Sequence, residues 1–409
     1  MTRHLGASQP RGAIRLTYKI SNRVSQIKPS ATIMVGMKAA ELRAQGQDII
    51  SLGMGEPDFD TPDHIKEAAI QAIRNGQTKY TAVDGTAGLK QAIINKFKRD
   101  NGFDYKPEQI LVSVGGKQAF YNMAQALLNP GDEVIIPAPY WVSYPDMVML
   151  ADAEPVIVAG SQEQSFKITA EQLKAAITDR TRLFVINSPS NPSGKAYTKA
   201  ELKALADVLL EHPDIVIVSD DIYEHIVWTE EGFNNILNVC PELKDRTLVM
   251  NGVSKAYSMT GWRIGYTGGP AEIIKGMKKV QSQSTSNPCS IAQAAAQEAL
   301  DGDQSFLKEM CDVFHERHDF VYSSLNAIEG VDCIASDGTF YSFPSFHAII
   351  DRMDGIDDDV QLAQLLLEKA EVALVPGSAF GLSGHLRLSF ATDMNSLEKA
   401  LARITAAVS

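Results

Sequence analysis

Residues 247–269 read TLVMNGVSKAYSMTGWRIGYTGG, two short apolar runs separated by a polar loop. The first run, 247–250, predicts a buried strand that stops at the turn signal Asn-Gly, and the second run covers 264–267. Lys255 and Arg263 therefore bracket one loop between two buried segments. Two cations held against a packed core need an anionic or electrophilic partner. A lysine that loses its proton through desolvation is an amine nucleophile toward a carbonyl; a pair of solvated loop charges is the ordinary alternative.

Outward from this loop, residues 62–300 alternate between short apolar runs and helical patterns. Continuous apolar strands separated by helices predict a mostly parallel sheet that is covered on both faces, which is the α/β class. In such a sheet, ligands bind beyond the carboxyl ends of the strands. The predicted strands are 109–114, 133–137, 154–159, 182–187, 215–219, 247–250 and 264–267.

The two ends of the chain show a different pattern. Helical patterns at 32–44 and 306–327 accompany short predicted strands at 48–52, 331–335, 339–343, 372–375 and 386–390, which together predict a smaller α+β unit. At 409 residues, two domains are expected. We predict a large domain (61–300), a small domain (24–60 plus 301–409) and an N-terminal arm (1–23). The arm is interpreted as packing on a partner subunit, with an organelle-targeting segment as the alternative.

Charge and composition exclude several classes of protein. A net charge of −12 disfavours binding to nucleic acid or anionic membranes, and no apolar run reaches the roughly 18 residues of a membrane span. The four cysteines form no CxxC pair, which fits a reducing compartment, and we expect a cytoplasmic protein. The histidines form no HExxH motif, and we expect no metal site. His315 and His318 could share a helix face, but without a third ligand they are interpreted as a solvated pair.

Polar and charged residues recur where the predicted strands end. Gly115, Gly116 and Lys117 follow one strand and open a predicted helix over 118–128, so free N–H groups and the positive helix end suit a phosphate. Asp220 follows the strand IVIVS and faces the buried side by alternation, where a carboxylate is desolvated unless it is paired. Tyr223 lies three residues later. A helix cap or a surface carboxylate is the plain alternative for each feature alone.

Three further features extend this set. The stretch 187–194, NSPSNPSG, is a shaped loop after a strand, and Trp141 in PAPYWVSYP offers a flat ring for stacking. Arg387 lies inside the apolar strand HLRLSFA. If its side chain points inward, it needs an anion such as a carboxylate, whereas alternation alone makes the solvent face equally acceptable.

One small molecule accounts for these features together: pyridoxal 5′-phosphate (PLP), an aromatic aldehyde with a phosphate and a pyridine nitrogen. Lys255 is predicted to form the Schiff base, and the helix end at 115–117 together with Arg263 is predicted to hold the phosphate. Trp141 is predicted to stack on the ring.

Three other residues are predicted to set the electronic state of the cofactor. Asp220 keeps the pyridine nitrogen protonated, so that the ring is an electron sink, while Asn191 and Tyr223 donate hydrogen bonds to the ring oxygen. Lys255, Asp220 and Tyr223 are therefore the predicted catalytic residues.

The same motifs resemble those of the class I PLP-dependent aminotransferases, and most of all the bacterial subgroup with aspartate and aspartate/prephenate activity. The resemblance runs from about residue 24 to the C-terminus. It rests on GEPDFDTP, TKYTAVDG, VGGKQA, PYWVSYP, NSPSNPSG, SDDIY, SKAYSMTGWRIGY and HLRLSFA. It implies the fold-type I architecture and a homodimer with shared active sites, in which Tyr80 reaches the phosphate of the neighbouring subunit's cofactor.

The resemblance also implies how substrate is bound. Gly55, Trp141, Asn191 and Arg387 match substrate-contacting positions, with Arg387 on the α-carboxylate, and Lys117 matches the residue that meets the distal carboxylate of aspartate. One position departs from the pattern of many relatives, where a phosphate-binding serine lies three residues before the lysine. The sequence has glycine at that position, 252, which leaves the phosphate more dependent on the remaining groups.

The expected activity is ping-pong transfer of an amino group between an amino acid, with aspartate favoured, and a 2-oxo acid such as 2-oxoglutarate or oxaloacetate. The alternatives are aromatic or prephenate transamination, or a PLP-dependent β-lyase. A non-catalytic module is the alternative from another class, because fold does not fix function.

Overall fold

The computed structural model describes residues 18–409. Residues 1–17, most of the predicted arm, lie outside the described part. The α-helices are α1 (Asn22–Gln26), α2 (Ala31–Ala44), α3 (Asp63–Arg74), α4 (Ala87–Lys96), α5 (Gly115–Leu127), α6 (Tyr144–Met149), α7 (Ala170–Ala176), α8 (Lys199–Leu210), α9 (Ile236–Val239), α10 (Ala271–Ser282), α11 (Ser290–Asp301), α12 (Ser305–Asn326), α13 (His347–Arg352), α14 (Asp359–Lys369) and α15 (Met394–Val408). The strands are β1 (Ile50–Ser51), β2 (Ile110–Ser113), β3 (Glu133–Ala138), β4 (Glu154–Ala159), β5 (Thr181–Asn187), β6 (Val216–Asp220), β7 (Thr247–Gly252), β8 (Gly265–Gly268), β9 (Tyr341–Ser342), β10 (Val372–Ala373), β11 (Val375–Pro376) and β12 (Leu386–Ser389).

The large sheet has seven strands in the order β2-β8-β7-β6-β5-β3-β4. All pairs are parallel except those that β8 makes with β2 and β7. Every strand predicted between residues 109 and 267 belongs to this sheet, with ends within a residue or two of the prediction. The α/β class with a mostly parallel sheet is confirmed. The apolar runs are continuous because both faces of the sheet are covered, as the fully buried central strand β7 and edge strand β2 show.

The register of the sheet brings three strand ends to one level. In β5, β6 and β7, which are parallel neighbours, Asn187 pairs with Asp220 and Asp220 pairs with Met250. The loop that carries Lys255 begins just beyond Met250. Side chains that follow these three strands therefore meet at one edge, which is where parallel α/β sheets bind ligands.

Two small sheets form from the ends of the chain. The strands β1 and β10 are parallel, and β12 lies between β11 and β9 in an antiparallel sheet. Because the amide of Ser389 donates to the carbonyl of Leu52 at 2.7 Å, the strand with Arg387 is joined to the segment after β1. The division into an arm, a small domain (24–60 plus 301–409) and a large domain (61–300) stays a prediction.

One predicted strand and one predicted helix start are wrong. Residues 331–335 make only an isolated bridge between Asp332 and Ser345. The side chain of Asn326, at the end of α12, binds both the N–H and the carbonyl of Cys333, which a strand would use for pairing. The helix predicted over 118–128 begins at Gly115.

The interpretation of His315 and His318 as a solvated pair is also wrong. His315 is exposed and stacks on Trp228, but His318 is buried. The Nε2 of His318 accepts from the amide of Ser336 at 2.9 Å, and its Nδ1 lies 3.0 Å from Asp319, a carboxylate that the sequence argument overlooked. Both ring nitrogens of His318 are thus engaged by protein groups.

Within residues 18–409, no helix has the length and apolar character needed to cross a membrane.

Candidate active site

A cavity of about 240 Å³ opens at the carboxyl ends of β5, β6 and β7. Nine of the twelve residues singled out by sequence line it, and the other three, Tyr80, Gly115 and Arg387, do not. The nine are Gly55, Gly116, Lys117, Trp141, Asn191, Asp220, Tyr223, Lys255 and Arg263. Residues that are more than a hundred positions apart in sequence therefore share one site.

Lys255 presents its amine to the cavity from the loop after β7. The ammonium group donates to the carbonyl oxygen of Gly55, on the segment that follows β1. Burial lowers the pKa of Lys255 to about 8, and the neighbouring cations Arg387 and Arg263 act in the same direction. A larger fraction of this amine is uncharged near neutral pH than for an exposed lysine, as the sequence argument expected.

Asp220 ends β6 and is buried, with its carboxylate at the cavity wall. Burial raises the pKa of Asp220 to about 6, against the opposing effect of two hydrogen bonds. One of these comes from the amide of Ile222 at 3.3 Å and the other from the hydroxyl of Tyr144. Tyr144 was not among the residues predicted from the sequence. The available signal was its position three residues after Trp141 in the motif PYWVSYP.

Asn187 was also overlooked, although it begins the loop NSPSNPSG. Its side-chain oxygen accepts from the amide of Asn191 at 2.9 Å, and its side-chain nitrogen donates to the carbonyl of Asp220 at 3.0 Å. One side chain therefore fixes the loop after β5 against the end of β6. An asparagine at the last position of a predicted strand, before a proline-rich loop, was the signal.

Arg387 lies behind the cavity wall rather than on it. Arg387 is 2% exposed, and its guanidinium donates to the side-chain oxygen of Asn191 at 2.8 Å and to the carbonyl of Gly53 at 2.7 Å. The Nε atom has no partner within the described part of the chain. The rings of Tyr341 and Phe380 cover the guanidinium, with their centres 4.4 and 4.9 Å from the Cζ atom of Arg387. Of the two directions that the sequence left open, the Arg387 side chain takes the inward one. Its protein partners are amide oxygens, not a carboxylate.

Arg263 and the start of α5 form a second cationic region. An added Cβ at Gly115, whose φ is +80°, would collide with the Arg263 guanidinium, so only glycine allows this close approach. Gly116 faces open space, and the first turn of α5 contains no acidic residue. The amide groups of this turn and the Arg263 guanidinium therefore present positive charge to the same part of the cavity.

Lys117 and Trp141 contact one another at the wall of the cavity. The Lys117 ammonium lies 5.2 Å from the centre of the Trp141 ring, a cation–π contact. Burial and the nearby Arg263 lower the pKa of Lys117.

Tyr223 and Gly55 both lie close to the hydroxyl of a second tyrosine, Tyr341. The hydroxyl of Tyr223 is 3.1 Å from that of Tyr341, and an added Cβ at Gly55 would lie 2.5 Å from the same Tyr341 oxygen. Glycine at 55 thus makes room for the phenol pair. Tyr341 was not singled out by sequence, because it lies in an ordinary apolar strand pattern.

Residues 47–404 match the family model described as aminotransferase class I and II. The chain belongs to this family. It is 58% identical, over 96% of its length and 100% of the relative's, to an aspartate/prephenate aminotransferase of Nitrosomonas europaea. The structure matches the aspartate aminotransferase of Rhizobium meliloti with a TM-score of 0.93 at 50% identity, covering 96% and 99% of the two chains. It matches the Thermus thermophilus aspartate aminotransferase with maleate with a TM-score of 0.90 at 45% identity, covering 96% and 100%.

The cofactor of this aminotransferase is PLP, and its fold is that of the fold-type I PLP enzymes. The residues present fit the group in three ways. Gly115 and Gly116 leave the start of α5 open beside Arg263 for a phosphate, Asp220 offers a buried carboxylate to a pyridine nitrogen, and the Lys255 amine faces the same cavity.

Two further residues, Gly252 and Ser254, bear on how this aminotransferase can hold a phosphate. Gly252, at the position where the family resemblance led us to expect a serine, pairs with Gly265 in the sheet, and an added Cβ would lie 3.0 Å from the carbonyl of Ile264. A side chain at 252 would therefore need the neighbouring strand to shift by a few tenths of an ångström. Ser254 lines the cavity two residues later and is a hydroxyl that the sequence argument missed.

Tyr80, unlike most of the predicted cofactor-binding residues, does not line the cavity. Its side chain is 93% exposed and lines a surface depression with Thr285, Asn287 and Ser290, outside the cavity of its own chain.

Proposed function

We propose that this aminotransferase moves the amino group of L-aspartate to a 2-oxo acid such as 2-oxoglutarate, with oxaloacetate as the product, by a ping-pong mechanism. The observation that carries the proposal is the pair of cationic groups at the cavity, Arg387 behind Asn191 and Lys117 beside Trp141. A four-carbon dicarboxylate has one carboxylate for each. The Thermus thermophilus relative, an aspartate aminotransferase at 45% identity, has a structure with maleate, which is such a dicarboxylate.

The proposed roles follow from the contacts. PLP, when bound, supplies an aldehyde that condenses with amines and a ring that withdraws electrons from the substrate α-carbon. Lys255 holds the cofactor between turnovers and then, as a free amine of lowered pKa, moves the proton at the substrate α-carbon. Asp220 faces the ring nitrogen, and Asn191 and Tyr223 donate toward the ring oxygen.

The remaining predicted residues bind rather than react. Arg263 and the amides of Gly115 and Gly116 hold the phosphate, and Trp141 covers the ring face. Arg387, with Asn191 and Gly55 beside it, receives the α-carboxylate, and Lys117 receives the distal one. The unpartnered Nε of Arg387 supports this assignment, because a buried guanidinium donor without an acceptor is costly.

We further infer that the enzyme is a cytoplasmic homodimer in which Tyr80 completes the phosphate site of the other subunit. The exposure of Tyr80 and its place outside its own cavity support the shared site. The free state of all four cysteines, each within the described residues, supports a reducing compartment.

Prephenate is the second candidate substrate. Two relatives that are 58% and 56% identical are named aspartate/prephenate aminotransferase. Prephenate also has two carboxylates, so the same two cations suit it.

A substrate panel on the purified holoenzyme tests the proposal. Aspartate with 2-oxoglutarate, prephenate with aspartate, phenylalanine with 2-oxoglutarate, and cystathionine are compared by kcat/KM, and a ping-pong enzyme gives parallel double-reciprocal lines. Activity greatest on phenylalanine, or cleavage of cystathionine without transamination, would remove the aspartate assignment. A protein that does not bind PLP would remove the whole account.

A further inference from the structure

Tyr144 lies directly behind two of the residues that face the cavity. It is the first residue of α6, and its side chain is 1% exposed. Its ring packs edge-on against Trp141, with 5.2 Å between the ring centres. It also packs at a tilt against Phe120, with 4.8 Å between the ring centres. Tyr144 therefore supports the aromatic ring that is proposed to cover the cofactor.

The hydroxyl of the same side chain donates to Oδ2 of Asp220. The other oxygen of Asp220 receives only the amide of Ile222, at the longer distance of 3.3 Å. No other side chain between residues 18 and 409 donates a hydrogen bond to this carboxylate, and none forms an ion pair with it. Burial and the Asp220 carboxylate raise the pKa of Tyr144 well above its usual range, so the phenol stays protonated and remains a donor.

We propose that Tyr144 is a positioning residue for the cofactor ring: it fixes one oxygen of Asp220, so that the carboxylate stays oriented and charged toward the ring nitrogen. The inference rests on the proposed function, in which Asp220 faces that nitrogen. A buried carboxylate with a single weak amide donor would otherwise be free to rotate or to take up a proton. Through Trp141 the same side chain supports the ring face, so one residue couples two contacts to the cofactor.

A purely structural role makes a different prediction. If Tyr144 only fills space between Phe120 and Trp141, phenylalanine would replace it with little effect on cofactor binding. If the hydroxyl acts through Asp220, its removal weakens binding only of a cofactor that has a ring nitrogen. The chemistry of the ring, not the stability of the fold, therefore separates the two roles.

The experiment measures the dissociation constants of two ligands from the full-length apoenzyme: PLP and its analogue with CH in place of the ring nitrogen. Wild type, Tyr144→Phe and Tyr197→Phe are compared. Tyr197 is the matched control, because it is a buried tyrosine whose hydroxyl accepts from the amide of Ile168 at 3.0 Å and which does not line the active-site cavity. Melting temperatures of the apoenzymes report on folding.

We expect Tyr144→Phe to weaken PLP binding at least about tenfold, the loss typical of a hydrogen bond to a charged group, and to bind the CH analogue like wild type. Tyr197→Phe should change neither dissociation constant beyond about twofold while lowering the melting temperature. In an Asp220→Asn background, the added Tyr144→Phe change should have no further effect on PLP binding, because the acceptor charge is already gone.

Two outcomes overturn the inference while leaving the proposed function in place: unchanged PLP binding by Tyr144→Phe, or an equal loss for both ligands. If that variant does not fold, a crystal structure of wild type loaded with PLP decides. A Tyr144 oxygen beyond hydrogen-bond distance of Asp220 there would contradict the inference. Failure of the wild type itself to bind PLP is a failure of the proposed function.

Discussion

The Arg387 guanidinium donates to the side-chain oxygen of Asn191 with 2.8 Å between Nη1 and Oδ1. This contact joins β12 of the small antiparallel sheet to the loop after β5 of the large sheet. Because the oxygen of the Asn191 amide is taken by Arg387, its NH₂ group is left to face the cavity that Asn191 lines. The arginine proposed to bind substrate and a proposed donor to the cofactor are thus one hydrogen-bonded unit.

Replacing Arg387 by lysine should reduce activity toward every amino acid. Lysine cannot keep the contacts to Asn191 and Gly53 and also pair with a carboxylate. We therefore expect kcat/KM to fall by an amount that corresponds to a loss of about 2 to 5 kcal/mol of transition-state stabilisation. Aspartate and phenylalanine are assayed side by side. The exposed Arg74 replaced by lysine is the control. A loss confined to one substrate would show that Arg387 does not bind the carboxylate that all amino acids share.

Replacing Lys117 by methionine should separate the substrates. Methionine keeps much of the packing on Trp141 but removes the charge, so kcat/KM for aspartate should fall at least about tenfold more than that for phenylalanine. Lys117→Arg, which retains a cation, should recover part of the aspartate activity. Equal losses for both substrates would contradict the assignment of Lys117 to the distal carboxylate.

Replacing Lys255 by alanine should abolish turnover while leaving PLP bound through the phosphate and ring contacts. General acid–base catalysis alone contributes about 10² to 10⁴ in rate, so the amino-group transfer from aspartate should slow by at least that factor. Single-turnover absorbance changes measure it, with bound PLP quantified separately. Lys275→Ala, on the exposed face of α10, is the control. Turnover near the wild-type rate would end the assignment of Lys255.

The lowered pKa of Lys255 predicts a pH dependence of apoenzyme stability. The unfolded chain keeps the ordinary value of 10.5, while burial lowers the folded value to about 8. Between these values the unfolded state binds the proton that the folded state has lost, so this group makes the fold more stable as pH rises. Below pH 8 the amine is charged in both states and its burial is destabilising.

Urea unfolding of wild type and Lys255→Met measures this difference, since methionine has no titrating group. The free energy of unfolding of wild type, relative to the variant, should be constant below about pH 7 and rise by about 1 kcal/mol per pH unit above pH 8. Lys275→Met should show no such slope. A difference that stays flat up to pH 10 would mean that the amine is not desolvated in the apoenzyme.

Sequence determined the main sheet and most of the cavity because both follow from local rules. Apolar runs mark the strands, and the loop that carries Lys255 follows a strand end by chain connectivity. The strand predicted at 331–335 does not form, because the side chain of Asn326 binds the backbone of Cys333. No periodicity in the sequence encodes that contact.

The residues missed at the site act on other residues across the fold. Tyr144 reaches Asp220, and Asn187 reaches both Asp220 and Asn191, so their roles exist only once β5, β6 and α6 are placed. Arg387 is the converse case. Alternation left its direction open, and only the tertiary contacts with Asn191 and Gly53 show that it points inward.

A shared active site predicts that two inactive variants restore each other. Tyr80→Ala should weaken the phosphate site of the neighbouring subunit, and Lys255→Ala should inactivate its own subunit. In a hybrid dimer, the subunit with an intact Lys255 receives an intact Tyr80 from its partner. Mixing the unfolded variants and refolding them together at limiting PLP should give up to about a quarter of wild-type activity, because half of the dimers are hybrids with one intact site each.

Two controls make the complementation decisive. Each variant refolded alone gives the background, and Lys275→Ala mixed with Lys255→Ala, which should give about half of wild-type activity whether or not Tyr80 is shared, reports the yield of refolded hybrid dimers. If Tyr80 served its own subunit, the hybrid would have a defect in each site and no activity would return. Regained activity above that of either variant refolded alone, in a fraction that elutes as a dimer, therefore requires that Tyr80 crosses the subunit interface.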